Sequence, residues 1–242
     1  METEKIKQLQ QWVDQSDRIV FFGGAGVSTE SGIPDFRSQD GLYHQQYDVP
    51  PETILSHTYF ERHTAEFYRF YRNKMICLTA KPNAAHKKLA ELEQAGKLLA
   101  VVTQNIDGLH QLAGSRSVLE LHGSVHRNIC QVCGAVYDAE WIMMTTGVPH
   151  CDKCGGRVKP DVVLYEESLP EDTLTRSVNA IANADLLLVG GTSLTVYPAA
   201  GLLRYFRGEQ NRDATPMDEQ ADLCIREPIG KVLEQIQVRD QA

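Results

Sequence analysis

The sequence predicts an α/β fold: a parallel sheet with helices on both faces, plus a smaller domain formed by two insertions. Three observations carry this. Short apolar runs bounded by turn residues recur at 18–22, 98–103, 118–121, 162–164, 185–189 and 222–225, the pattern of buried parallel strands. Helical patterns lie between several of them, and such alternation places helices on both sides of a sheet. Two stretches, 38–82 and 123–160, break the rhythm; the first is rich in Tyr, Phe and His, and the second holds four of the six cysteines.

The chain has 242 residues, enough for one sizeable core with a small satellite. A net charge of −8 argues against phosphate backbones as direct ligands and is compatible with a cationic partner such as a lysine-rich protein tail. The opening METEKIKQLQQW has no apolar core of a signal peptide, and no apolar run approaches the ~20 residues of a membrane span. The expected setting is therefore the cytoplasm, where cysteines stay reduced.

From the N-terminus, 2–15 reads as a helix with Ile6, Leu9, Trp12 and Val13 on one face. Strand 18–22 then runs into Gly23-Gly24-Ala25-Gly26-Val27-Ser28-Thr29. A strand, a glycine turn and a helix start make a phosphate cradle, with Gly24 and Gly26 admitting close approach of a pyrophosphate. The dehydrogenase fingerprint fails in detail, because Thr29 stands where its third glycine would be and Pro34 ends any helix at once. Beyond it, Phe36 could cover a planar ring, and Arg37 could hold a phosphate or order a loop.

After a helix at 84–95, with Ala85, Leu89 and Leu92 at helical spacing, strand 98–103 ends in Gln104-Asn105-Ile106-Asp107. Ligands of open parallel sheets bind at the carboxyl ends of strands, and a carboxylate such as Asp107 would grip an amide such as that of nicotinamide. The neighbouring strand, 118–121, ends in His122-Gly123, a location suited to a general base. A third strand end, after 185–189, reads Gly190-Gly191-Thr192-Ser193, a second small-residue turn that suits the far end of a long phosphate-bearing ligand.

Within 123–160, Cys130 and Cys133 form one CxxC pair, and Cys151 and Cys154 form another. That spacing is the signature of a structural zinc ribbon, in which four thiolates close a tetrahedron and leave no position for water. The nearby His126 and His150 are read as non-ligands, and Cys77 and Cys224 as core residues.

The segments GAGVSTESGIPDFR, TQNIDGLH, HG, CxxC…CxxC, KPDVVLYEE and GTSLTVYPAA occur in the order seen in sirtuins. The chain resembles that family along nearly its whole length, and most closely its bacterial protein-deacetylase branch. The resemblance implies a Rossmann-like NAD-binding domain of residues 1–37, 83–122 and 161–242. It also implies a small domain made of a helical insertion, 38–82, and a zinc-binding insertion, 123–160.

The implied activity is NAD-dependent deacylation of protein lysines: nicotinamide is released, and the acyl group passes from acyl-lysine to ADP-ribose. In that scheme Ala25, Thr29 and Arg37 line the phosphate and ribose region, and Phe36 shields the nicotinamide ribose. Gln104, Asn105, Ile106 and Asp107 shape the nicotinamide pocket, and Asn105 and Asp107 join His122 as catalytic residues. His122 deprotonates a ribose hydroxyl. Thr192, Ser193 and Asn211 hold the adenosine half, while Val163 and Tyr165 border an acyl-lysine peptide that adds as a strand.

The chain departs from the family at two places. Tyr165-Glu166-Glu167 replaces a frequent Phe-Gly-Glu, and the segment 207–212 is about four residues short of the hydrophobic strand that usually precedes Asn211. The shortening is expected to remove a sheet strand. It keeps two other readings open, an NAD- or ADP-ribose-binding module with impaired catalysis and a mono-ADP-ribosyltransferase.

Overall fold

The computed structural model describes residues 2–35, 49–207 and 221–239 and the backbone of 211–212. Five parallel strands form the main sheet: β1 (Ile19–Gly23), β2 (Leu98–Thr103), β3 (Val118–Glu120), β7 (Leu186–Gly190) and β8 (Asn211–Arg212), in the order β3-β2-β1-β7-β8. Because side chains alternate along a strand, β1 and β7 feed two cores. Ile19, Phe21, Leu186 and Leu188 pack with Leu9 and Val13 of α1 (Glu2–Gln15), with Leu89 and Leu92 of α5 (Ala84–Gln94) and with Val232 and Leu233 of α9 (Ile229–Glu234). Val20, Phe22, Leu187 and Val189 pack on the opposite face with Ile181 of α8 (Glu171–Asn183). Both faces are covered, so the strands are continuously apolar. In β2 the alternation slips. Ile19 pairs with Leu98 but Val20 pairs with Ala100, so Leu99 bulges out and is exposed.

A second, antiparallel sheet has the order β5-β4-β6, from β4 (Gly123–Cys130), β5 (Val136–Tyr137) and β6 (Val158–Val162). Its core is shared with α2 (Pro51–Ile54), α3 (His57–Arg62) and α4 (Thr64–Phe70), which continues as a π turn, Tyr71–Met75; α7 (Ala139–Met144) closes the other side. Phe60, Phe67, Tyr68 and Tyr71 are fully buried there beside Val125, Ile142 and Val158. Residues far apart in the chain thus share one apolar cluster, which carries the cysteine-bearing sheet. Short α6 (Leu109–Leu112) follows the end of β2.

Four expectations are corrected. The run 162–164 is not a main-sheet strand: β6 ends at Val162 and pairs with β4, and Val163 and Leu164 follow it as irregular chain. The run 222–225 forms no strand. Leu223 packs into the α1 core instead, and the Cys224 carbonyl, which a ladder would use, accepts from Lys5 Nζ at 2.7 Å. The strand ending near Asn211 is reduced rather than removed, with β8 pairing two residues to Leu187 and Leu188. Finally, Cys77 is exposed and Cys224 half-buried, so neither is a core residue.

Candidate active site

The site lies where β1, β2, β3 and β7 end together. After β1 the chain makes two short 3₁₀ turns, Ala25–Val27 and Thr29–Ser31. The N–H of Gly24 donates to the Gly190 carbonyl at 3.2 Å, and that of Gly26 to the Gly191 carbonyl at 2.8 Å. The two glycine turns are thereby laced together rather than leaving both N–H groups free. A Cβ on Gly191, where φ is +62, would stand 2.2 Å from the Val27 nitrogen, so glycine is required for this approach. Among the described residues, Thr29 Oγ1 turns back to the Gly26 carbonyl at 2.9 Å.

Ser28 was not singled out from sequence, yet it organises the floor of the site. Its Oγ donates to Asp107 Oδ2 at 2.7 Å and accepts from Asn105 Nδ2 at 3.1 Å. Asp107 Oδ1 also accepts from the Leu109 N–H at 2.9 Å. Asn105 is buried, and its N–H donates to Thr103 Oγ1. A serine straight after a glycine turn was the available signal; its reach to a residue 79 positions away was not legible. Asn83 was missed for the same reason. It caps α5 with its Oδ1, while its Nδ2 donates to the Val27 carbonyl and to Ser31 Oγ, fixing the glycine turn.

His122 follows β3. Its Nδ1 lies 2.9 Å from the Gln104 carbonyl. A carbonyl only accepts, so Nδ1 carries the hydrogen and Nε2 keeps a lone pair, the tautomer a general base needs. Burial pushes the imidazole below its ordinary pKa and so favours the neutral ring, partly opposed by the bond to Gln104. Gly123, at φ +74, lets the chain cross to the second sheet. A Cβ there would stand 1.9 Å from the Asp161 carbonyl. Gln104 also donates through Nε2 to Thr192 Oγ1 at 3.2 Å, and Ser193 Oγ lies 2.8 Å from Thr195 Oγ1.

These groups line one cleft of about 320 Å³. Ala25, Gly26, Gln104, Asn105, Ile106, Asp107, His122, Thr192 and Ser193 border it, with Val163 and Tyr165 along one edge. The Val163 N–H donates to the His122 carbonyl and the Tyr165 N–H to the Leu55 carbonyl. The structure thus gathers most of the residues singled out from sequence. Gly24 and Thr29 are not among the lining residues; the Gly24 carbonyl accepts from the Val27 N–H. Phe36 and Arg37 lie outside the described residues. Asn211 is described only as backbone of β8.

A separate cluster lies in the second sheet. The Sγ atoms of Cys130, Cys133, Cys151 and Cys154 all fall within 4.8 Å of one another, with Cys130–Cys154 and Cys133–Cys151 both at 3.5 Å. A zinc tetrathiolate with bonds of about 2.3 Å has sulfur–sulfur edges of about 3.8 Å, so the four thiols fit that ion. His126 and His150 stand outside the cluster; each has a ring nitrogen 3.0 Å from a backbone carbonyl, of Asp107 and Gly155 respectively.

The Sir2 family model matches residues 24–198. An NAD-dependent protein deacetylase of Clostridium acetobutylicum is 60% identical over 240 residues, covering 96% of this chain and 98% of that protein. One from Clostridium perfringens is 55% identical, covering 95% and 97%. A Sir2 enzyme of known structure superposes with a TM-score of 0.86 at 41% identity, covering 97% of this chain and 96% of that one. Another, solved with a deacetylated peptide and 3′-O-acetyl-ADP-ribose, gives 0.85 at 38% identity, covering 94% and 95%. With the glycine turns, the paired strand ends and the cysteine tetrad in one chain, these matches establish that the protein belongs to the Sir2 family, the sirtuins.

Proposed function

We propose that the protein is an NAD-dependent protein lysine deacetylase that transfers the acyl group of acyl-lysine to ADP-ribose and releases nicotinamide. The observation that carries this reading is His122, oriented by Gln104 at the end of β3, in one cleft with the Ser28–Asn105–Asp107 network. When bound, NAD supplies the ribose carbon to which the acyl oxygen is transferred. The chain's residues do the rest. Asp107 is held at both carboxylate oxygens and presents a fixed acceptor to the nicotinamide amide. Asn105 and Ile106 shape that pocket. His122 Nε2 takes a proton from a ribose hydroxyl and so raises its nucleophilicity. Ala25 and Gly26 border the phosphates, Gly24 and Thr29 shape the turn that carries them, Phe36 and Arg37 follow in sequence, and Thr192, Ser193 and Asn211 serve the adenosine half.

The acyl-lysine peptide enters beside Val163 and Tyr165. The N–H groups of both residues, and that of Leu164, which bonds Glu167, are already engaged. The Leu164 and Tyr165 carbonyls already accept from the Glu167 and His57 N–H groups, but a carbonyl has two lone pairs, so an added strand can still donate its own N–H groups to this edge. The four cysteines hold one structural zinc ion, which supplies folding energy to a small domain of residues 38–82 and 123–160 and touches no substrate. Residues 1–37, 83–122 and 161–242 form the NAD-binding domain. The protein works in the cytoplasm on protein substrates, without membrane or nucleic-acid ligands.

Incubation with NAD and an acetyl-lysine peptide, followed by mass spectrometry, tests the reading. Deacetylated peptide with O-acetyl-ADP-ribose is the expected result. ADP-ribosylated peptide in its place would make the protein a mono-ADP-ribosyltransferase. NAD bound without turnover would make it a binding module.

A further inference from the structure

Asp107 is held from both sheets. Its carboxylate is fixed within the main-sheet domain, by Ser28 Oγ at 2.7 Å and the Leu109 N–H at 2.9 Å. Its backbone carbonyl is held from the other sheet, where Nε2 of His126 on β4 lies 3.0 Å from the Asp107 oxygen. The carbonyl can only accept, so Nε2 carries the hydrogen. The same ring closes on the next residue: a Cβ at Gly108 would stand 2.8 Å from His126 Cδ2. Gly108 has φ +71 and forms the N-cap of α6. A glycine leaves the preceding peptide free to rotate, because both signs of φ are open to it. His126 removes that freedom by a hydrogen bond and by contact.

We propose that His126 is a positioning residue for the nicotinamide pocket: it pins the Asp107–Gly108 peptide and so sets the direction of the Asp107 carboxylate. The proposal rests on Asp107 being the group that receives the nicotinamide amide. It assigns a task to a side chain that lies outside the cysteine cluster and outside the lining of the cleft. It also makes β4, the strand that ends in Cys130, a mechanical support of the pocket.

The test uses the full chain with His126→Phe, which keeps a ring without a donor, and His126→Gln, which keeps an Nε donor without a ring. The readouts are the nicotinamide inhibition constant, the KM for NAD and the KM for acetyl-lysine peptide. His126→Phe is expected to raise the first two about fivefold, the scale of one hydrogen bond, and to leave the peptide KM within about twofold. His126→Gln is expected to stay within about twofold of wild type in all three. Unchanged nicotinamide inhibition in His126→Phe, an equal rise in peptide KM, or His126→Gln as impaired as His126→Phe would each overturn the proposal. Asp107→Asn separates the two layers. If it weakens nicotinamide inhibition while His126→Phe does not, only the His126 assignment falls. If Asp107→Asn leaves inhibition unchanged, the reading of Asp107 falls, and the His126 proposal with it.

Discussion

The cysteine tetrad and the cleft are both clusters of reactive side chains, and they differ in what they leave open. The four sulfur atoms lie within 4.8 Å of one another and come from two CxxC pairs close together in the chain. In the cleft, Ser28, Asn105, Asp107, Gln104 and His122 come from three different strand ends and surround about 320 Å³ of space. A closed set of ligands can hold an ion but cannot meet a substrate. An open set, each member fixed by hydrogen bonds to its neighbours, can meet a substrate but adds little to stability. On the proposed reading one cluster serves folding and the other chemistry, and each role can be broken separately.

The largest effect is expected from the tetrad. If the tetrad holds the proposed zinc, Cys151→Ser or treatment with a chelator should lower Tm by about 10 °C or more and abolish activity with it, because such a metal is tied to folding. Calorimetry with metal analysis checks this. An unchanged Tm in a zinc-free protein would remove the structural role.

The cleft should respond in the opposite way. His122→Ala should lower kcat/KM about 10³-fold while Tm stays within about 2 °C and NAD still binds, as measured by titration calorimetry. Normal turnover would remove His122 as the base. Ser28→Ala takes one of two donors from the Asp107 carboxylate, and the KM for NAD should rise about tenfold with little change in peptide KM. An equal rise in both would mean that Ser28 only supports the fold.

The smallest expected effect is a displacement of the pH profile. Burial holds the His122 pKa below the ordinary imidazole value, so the base form persists to lower pH than for an exposed histidine. The acid limb of kcat/KM, lost as pH falls through that pKa, should have its midpoint below about 6.5. A midpoint above 7 would contradict the burial argument.

The two clusters also differ in how far they were legible in the sequence. The tetrad was readable because its information is local: two CxxC knuckles at ribbon spacing need no knowledge of the rest of the fold. The strand ends carrying Gln104–Asp107 and His122 were readable because each apolar run stops at a polar residue. The partners that fix them were not. Ser28 meets Asp107 and Asn83 meets Val27 only after distant segments have packed. Strand assignment failed where a run was short and apolar but its ladder was occupied. Leu223 and Ile225 mimic a strand, yet both pack into the α1 core and Lys5 takes the intervening carbonyl. At 162–164 the apolar period was right and the sheet was wrong, since antiparallel pairing with β4 captured Val162. The shortened segment before Asn211 reads as the loss of a strand, because sequence length alone does not show that two residues suffice to pair with β7.

The most direct measurement is the product balance of the wild-type protein with NAD and an acetyl-lysine peptide, resolved by mass spectrometry. Each nicotinamide released is expected to be matched by one deacetylated peptide and one O-acetyl-ADP-ribose. Nicotinamide release without deacetylated peptide would contradict it.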